Sequence, residues 1–209
     1  MFGGENLLCL RGGRVVFAEL SFTVARGGAL ILRGPNGSGK SSLLRIAASL
    51  MQAAAGSLLW DKKPIDIDSH RARLTYVGHN DAIKPVFSVR ENLEFWAAYT
   101  GRSDDAAQRV EHALAMFGLD RLADIPARFL SAGERRRLGL ARLGVADGPL
   151  WLLDEPTVAL DRESVSRFTD ALRQHLDRDG LAIVATHIDI DIPNAKILEL
   201  TRSHAAEVA

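Results

Sequence analysis

The sequence predicts an α/β fold with a mostly parallel sheet, and three observations predict it. Short apolar runs alternate with helical patterns along most of the chain. One of these runs, ALILR, passes straight into a glycine-rich loop, GPNGSGKS at 34–41, and then into the helical stripe SSLLRIAASL. Two later apolar runs, LWLL and LAIVAT, each end on residues able to do chemistry: Asp154 with Glu155, and His187.

The elements follow in order. The first 33 residues read as β-rich, with LLCL, RVVF and LSFTV as short runs separated by glycine or charge and ALILR bounded by Gly28 and Gly34. GSLLW and RLTYV read as further strands. From about Ser88 the pattern turns helical. SVRENLEFWAAYTG opens with Ser88 three residues before Glu91, a capping box, and stops at Gly101. DDAAQRVEHALAMFGL opens on Asp104 and Asp105, favourable beside a helix N-terminus, and stops at Gly118. SAGERRRLGLARLGV is a third helix, RESVSRFTDALRQHLDRDG an amphipathic fourth, and PLWLLDE and LAIVATH are buried strands. Residues from about 80 to 145 therefore read as a helical insertion within one domain spanning 1–209. The tail after Thr201 reads as frayed.

The composition narrows the function. With 209 residues and 47% hydrophobic content, the chain can build a substantial core. Lys plus Arg and Asp plus Glu number 26 each, so charge does not suggest nucleic acid as a partner. The single cysteine, Cys9, excludes an internal disulfide and a CxxC site, which fits a reducing compartment. No apolar run approaches the roughly 18 residues of a membrane span. The N-terminal segment lacks the basic-then-apolar layout of a signal peptide. We therefore expect a chain soluble by itself, attached to a membrane only through a partner.

The loop at 34–41 fits G-x-x-x-x-G-K-[ST]. Its glycines permit the close backbone approach that lets successive N–H groups cradle phosphate oxygens, helped by the positive end of the following helix. The phosphate-holding set is Gly34, Pro35, Asn36, Gly37, Ser38, Gly39, Lys40, Ser41 and Ser42. Lys40 is expected on the β- and γ-phosphates and the Ser41 hydroxyl on Mg²⁺. Asp154 is placed to hold Mg²⁺ and Glu155 to polarise the attacking water. His187 is placed to meet the γ-phosphate and that water. LSAGE at 130–134 makes a second anion-binding helix start, with Ser131 able to cap and to donate. A domain whose own phosphate loop already serves one nucleotide has such a start to offer to another copy. Glu134 and Arg135 to Arg137 read as a solvated helix face rather than a nucleic-acid patch.

GPNGSGKS, LSAGE, LLDEP, ALD and TH, at these spacings, resemble the ATP-binding-cassette (ABC) ATPase domain over nearly the whole chain. The resemblance implies a phosphate-loop NTPase with a mixed sheet core, an N-terminal antiparallel β subdomain and a helical subdomain. It implies two copies packed head to tail, each ATP lying between the phosphate loop of one copy and Ser131, Ala132, Gly133 and Glu134 of the other, with Asp161 in the loop that communicates across the interface. It also implies integral membrane subunits whose short cytoplasmic helices sit in a groove beside the helical subdomain. LSAGE stands where LSGGQ is usual, and Arg11 stands where many cassettes stack an aromatic on adenine. Val16 or Phe17 is then left to supply the apolar contact, or Arg11 to stack through its guanidinium.

A narrower resemblance rests on LRGGRVVFAELSF, YVGH, IKPVFSVRENLEFW and PLWLLDEP, which look like the ATP-binding subunits of the bacterial cytochrome c maturation system. Most cassettes have a glutamine where this chain has His79, a further candidate for the Mg²⁺ site. This resemblance implies ATP hydrolysis that drives haem export or release of a haem-loaded chaperone, from the cytoplasmic face of the bacterial inner membrane. Other readings are an ABC exporter of different cargo, or a soluble ABC ATPase of translation or DNA repair. The latter usually carries two cassettes on one chain or a long coiled coil between its motifs, and neither is present. A GTPase would want an NKxD-type motif, also absent.

Overall fold

The computed structural model describes residues 1–99 and 105–201. The expected helix stop at Gly101, the first of the two aspartates, Asp104, and the tail 202–209 lie outside them. Nine strands and six α-helices follow one another in these residues: β1 (Phe2–Arg11), β2 (Arg14–Val24), β3 (Ala29–Arg33), α1 (Lys40–Ala47), β4 (Ala55–Trp60), β5 (Lys63–Pro64), α2 (Ile67–Arg71), β6 (Leu74–Val77), α3 (Val89–Tyr99), α4 (Ala106–Met116), α5 (Ala132–Val145), β7 (Leu150–Asp154), α6 (Arg162–Asp177), β8 (Leu181–Ala185) and β9 (Lys196–Glu199).

The strands divide between two sheets. The N-terminal sheet has the order β2-β1-β4-β5 and is antiparallel throughout, whereas the core sheet has the order β6-β7-β8-β3-β9 and is parallel throughout. The mixture implied by the resemblance is thus a mixture of sheets. RVVF and LSFTV, separate runs in the sequence, form the single strand β2. β1 and β2 close on a two-residue hairpin at Gly12 and Gly13, both at positive φ.

The core sheet is covered on both faces, which is why its strands read as unbroken apolar runs. Side chains alternate along β7: Leu150 and Leu152 enter the core shared with the N-terminal sheet and α1, while Trp151 and Leu153 enter the core shared with α3 to α6. β8 repeats this, with Leu181 and Ile183 on one side and Ala182 and Val184 on the other.

The helices begin where their caps stand. Ser88 and Glu91 exchange hydrogen bonds, Glu91 N–H to Ser88 Oγ at 3.1 Å and Ser88 N–H to Glu91 Oε2 at 2.7 Å, before α3. Gly118, at φ 62°, turns the chain out of α4. Asp105 occupies the N-cap of α4 without a side-chain hydrogen bond. β9 had no strong signal of its own: Lys196–Glu199 is short and mostly exposed, and it pairs with β3 at the sheet edge.

Candidate nucleotide site

Because β3, β6, β7 and β8 are parallel, their carboxyl ends lie along one edge of the sheet, where open α/β folds bind ligands. β3 feeds Gly34, β7 ends on Asp154, and β8 ends on Ala185, two residues before His187. In register, Asp154 pairs with Ala185, and Ala185 with Leu32 on its other side. The strand order therefore brings the glycine loop, the paired carboxylates and the histidine together from positions far apart in the chain.

The loop itself is tightly specified. Gly34 has φ 137°, and a Cβ there would lie 2.2 Å from the Leu200 carbonyl oxygen. Gly39 has φ 105°, and its Cβ would lie 2.7 Å from Val16 Cγ1. Both need glycine for conformation and for space. Gly37 is also at positive φ. Ser38 donates its N–H to Pro35 O at 3.2 Å, and its buried hydroxyl has no hydrogen-bond partner among the described residues. Among the described residues no side chain caps the N-terminus of α1, in contrast to α2, α5 and α6 with Asp66, Ser131 and Asp161. Those uncapped N–H groups and the helix dipole suit an anion. Lys40 is buried and folds over the loop, donating to Gly34 O at 2.7 Å and Pro35 O at 3.2 Å. An open cavity of about 350 Å³ lies against the loop, lined by Arg11, Val16, Asn36, Lys40, Asp154 and Glu155 among others.

Around this loop the chemical groups converge. Ser41 donates its hydroxyl to Asp154 Oδ1 at 3.1 Å. A hydroxyl beside a carboxylate is a hard oxygen set that suits Mg²⁺, which takes one or two carboxylates and completes its shell with phosphate oxygens and water. His187 Nε2 lies 3.2 Å from Glu155 Oε1, 3.1 Å from Asn36 Oδ1 and 3.4 Å from Lys40 Nζ. An Nε2–H donates to the two oxygens, while the lysine contact requires the other tautomer. Glu155 holds a left-handed backbone, φ 48°, a conformation that costs about 1–3 kcal/mol in a non-glycine residue.

Other sequence-marked residues lie elsewhere. His79 is exposed just past β6, one strand from Asp154, and no hydrogen bond joins it to Ser41 or Asp154 among the described residues. The Ser42 hydroxyl meets the Cys9 thiol, whose pKa burial pushes up. Ser131 and Ala132 are exposed at the start of α5. Ser131 Oγ accepts the Glu134 N–H at 3.3 Å, and Glu134 Oε2 accepts the Ser131 N–H at 2.7 Å. Those hydrogen bonds lower the Glu134 pKa and turn its carboxylate back on its own helix start. Gly133 packs beside Ala159, a Cβ there falling 3.1 Å from its carbonyl oxygen. Asp161 caps α6, accepting the Ser164 N–H at 2.8 Å. Residues 131–134 make no hydrogen bond or ion pair with their own phosphate loop among the described residues, so this helix start faces outward.

One expectation is overturned. Arg136, assigned with its neighbours to a solvated face, is only 4% exposed. Its guanidinium reaches Gly78, Asp81, Asp154, Glu155 and Pro156. A signal was available: Arg136, Leu140 and Leu143 fall on one helical stripe, and the two leucines are buried. Arg137 is also engaged, donating to Phe117 O at 3.2 Å and Gly118 O at 2.8 Å, which ties α5 to the end of α4.

A glycine loop entering a helix, a carboxylate pair at the end of β7, one strand removed across β8, and an outward-facing second helix start define an ATP-binding cassette. Residues 17–158 match the family model described as ABC transporter, and the chain belongs to that family. It is an ATP-hydrolysing enzyme of the ABC type.

The relatives narrow the family further. The chain is 51% identical, over 99% of its length and 96% of the relative's, to the cytochrome c biogenesis ATP-binding export protein CcmA of Paramagnetospirillum magneticum. It is 52% identical, over 96% and 85%, to the protein of the same name in Rhodospirillum rubrum. Among solved structures, an ATP-binding subunit of an ABC transporter superposes with TM-score 0.86 at 19% identity, covering 100% of this chain and 90% of the other. A dimeric ATP-binding cassette in a post-hydrolysis state, bound to ADP and Pi, superposes with TM-score 0.82 at 23% identity, covering 100% and 99%. At those identities the two structures show the fold alone.

Proposed function

We propose that this chain is the ATPase subunit of a membrane export complex in cytochrome c biogenesis, where ATP hydrolysis drives haem export or release of a haem-loaded chaperone. Support for the pathway comes from the relatives, named as export proteins of cytochrome c biogenesis. The observation that carries the chemistry is the meeting of Lys40, Glu155, His187 and Asn36 around one point beside the glycine loop.

The residues divide the work as follows. Backbone N–H groups of 37–41 and the α1 N-terminus hold the phosphate oxygens. Lys40 leaves the loop carbonyls for the β- and γ-phosphates, exchanging neutral acceptors for charged ones. Glu155 accepts a proton from the attacking water, and His187 orients Glu155 and that water at the γ-phosphate. Ser41 and Asp154 would hold Mg²⁺, which supplies charge neutralisation at the phosphate oxygens. Val16 supplies an apolar wall for the base, with Arg11 beside it in the same cavity.

The exposed start of α5 supports a second copy as the other half of the site, with Ser131, Ala132 and Gly133 offered to that copy's nucleotide and Asp161 in the adjoining loop. Closure with ATP and reopening after hydrolysis then make mechanical work. An apolar groove of about 730 Å³ between β6, α3 and α5, lined by Leu50, Tyr76, Trp96, Tyr99, Arg142 and Pro149 among others, suits a short helix of a membrane subunit. No helix among the described residues is long and apolar enough to cross a membrane. The chain then acts as one domain, with residues from about 80 to 145 as its helical subdomain, bound peripherally at the cytoplasmic face of the inner membrane.

The test is complementation. A host lacking its own subunit, supplied with this chain, should regain haem-stained c-type cytochromes, whereas the Lys40→Ala chain should not. Cytochrome maturation that is equal with both chains, or restored by neither while both are expressed and bound to the membrane subunits, removes the reading.

A further inference from the structure

Arg136 satisfies all five of its N–H donors inside the protein. Nε donates to Pro156 O at 3.2 Å, Nη1 to Gly78 O at 3.0 Å and to Asp81 Oδ1 at 2.7 Å, and Nη2 to Asp154 O at 3.1 Å and Glu155 O at 2.7 Å. Four of these acceptors are backbone carbonyls at the active edge of the sheet. One nitrogen, Nη2, grips the carbonyls on both sides of the Glu155 α-carbon, the residue held at φ 48°. The backbone that carries the Glu155 side chain is therefore held from behind, by a side chain of α5 that does not line the cavity.

Asp81 completes the device. It is the only carboxylate in an ion pair with Arg136 among the described residues, and its side chain lies flat against α5 at Gly139, where a Cβ would fall 2.8 Å from Oδ1. The segment 78–81 after β6, which carries His79, is thus bonded to the same guanidinium as the end of β7. Any shift of α5 against the sheet must pull on Gly78 and Glu155 together.

We infer that Arg136 is a positioning residue that sets the backbone of Glu155, with Asp81 as its aligning partner, and that it couples the seating of α5 to the alignment of the base. The inference rests on Glu155 acting as the base. It does not require Arg136 or Asp81 to touch nucleotide. A fork of planar donors is needed for four carbonyls at once, and a lysine ammonium cannot reproduce it.

The experiment uses the full purified chain and compares Asp81→Ala, Asp81→Asn, Arg136→Lys and Glu155→Gln for kcat, KM for ATP, and affinity for a fluorescent ATP analogue. Asp81 is partly exposed, and a thermal melt of each variant, taken before kcat is read, shows which of them fold. We expect Asp81→Ala to lower kcat about tenfold while KM and analogue affinity stay within twofold. Asp81→Asn, which keeps an acceptor oxygen, should recover most of the loss, and Arg136→Lys should lower kcat at least as far as Asp81→Ala. An Asp81→Ala chain with unchanged kcat overturns the inference. So does a fall in kcat matched by an equal fall in nucleotide affinity, the mark of a strut that merely holds the domain together. Retained turnover in Glu155→Gln would instead remove the base assignment, separately from the result with Asp81.

Discussion

The Nε2 of His187 lies 3.2 Å from Oε1 of Glu155, joining the ends of two neighbouring parallel strands. Asn36 of the glycine loop accepts from the same imidazole nitrogen. The histidine is a bridge between the loop that holds phosphate and the carboxylate that meets water. His187→Ala should keep nucleotide affinity within a few-fold and lower kcat about a hundredfold. Single-turnover hydrolysis beside equilibrium binding measures both; a variant with normal kcat would count against the bridge.

Glu155→Gln keeps the shape of the side chain and removes the proton acceptor. Turnover should fall about a thousandfold with binding retained, and an ATP-bound dimer should accumulate. Sedimentation with and without ATP reads this out, and a variant that remains monomeric at saturating ATP would argue against a site shared by two copies.

Ser131 carries two loads that separate by substitution. Ser131→Ala removes the cap of α5 and should cost about 1 kcal/mol of stability. Ser131→Arg places a large cation at the outward helix start. It should abolish hydrolysis while leaving ATP binding by the same chain intact. If the arginine chain hydrolyses normally, that helix start serves no nucleotide.

His175 gives the fold a defined acid response. Its ring stacks on Trp151 with centroids 3.9 Å apart, and burial pushes its pKa down from 6.5 to about 4. Between those values the unfolded chain binds more protons than the folded one, so stability is complete above pH 6.5 and declines as pH falls toward 4. The loss reaches about 3 kcal/mol, at about 1.4 kcal/mol per pH unit. His70 adds in the same direction: burial lowers its pKa, and its Nδ1 accepts from Trp60 Nε1 at 2.9 Å. Urea melts at pH 7 and pH 5 should show the decline, and His175→Phe should flatten it in part. An unchanged slope in that variant would assign the acid response elsewhere.

The parts of this molecule most legible in its sequence were those governed by local rules. Gly34, Gly39, Lys40 and Ser41 announce a phosphate loop because the backbone geometry admits few alternatives. Ser88 with Glu91, and Ser131 by itself, mark helix starts because a cap needs such side chains there. LWLL and LAIVA read as buried strands because both faces of the core sheet are covered. Arg136 was misread because charge was weighed ahead of position: it lies on the stripe of Leu140 and Leu143, and the carbonyls it bonds, at the end of β7 and just beyond β6 and β7, are distant partners that no local pattern names. β9 was missed because an exposed edge strand needs only one neighbour. The folding back of Glu134 onto Ser131 is a choice between local and distant partners, which spacing alone leaves open.

Gly39 leans on Val16 and Phe17, so the phosphate loop uses the amino-terminal sheet as its outer wall. A fragment cut to begin at β3 would retain GPNGSGKS, LSAGE, LLDEP and TH and yet lose the surface that keeps the loop in shape. The first two strands thus belong to the nucleotide-gripping machinery as well as to the core they share with α1, and truncation from that end should cost ATP affinity and stability together.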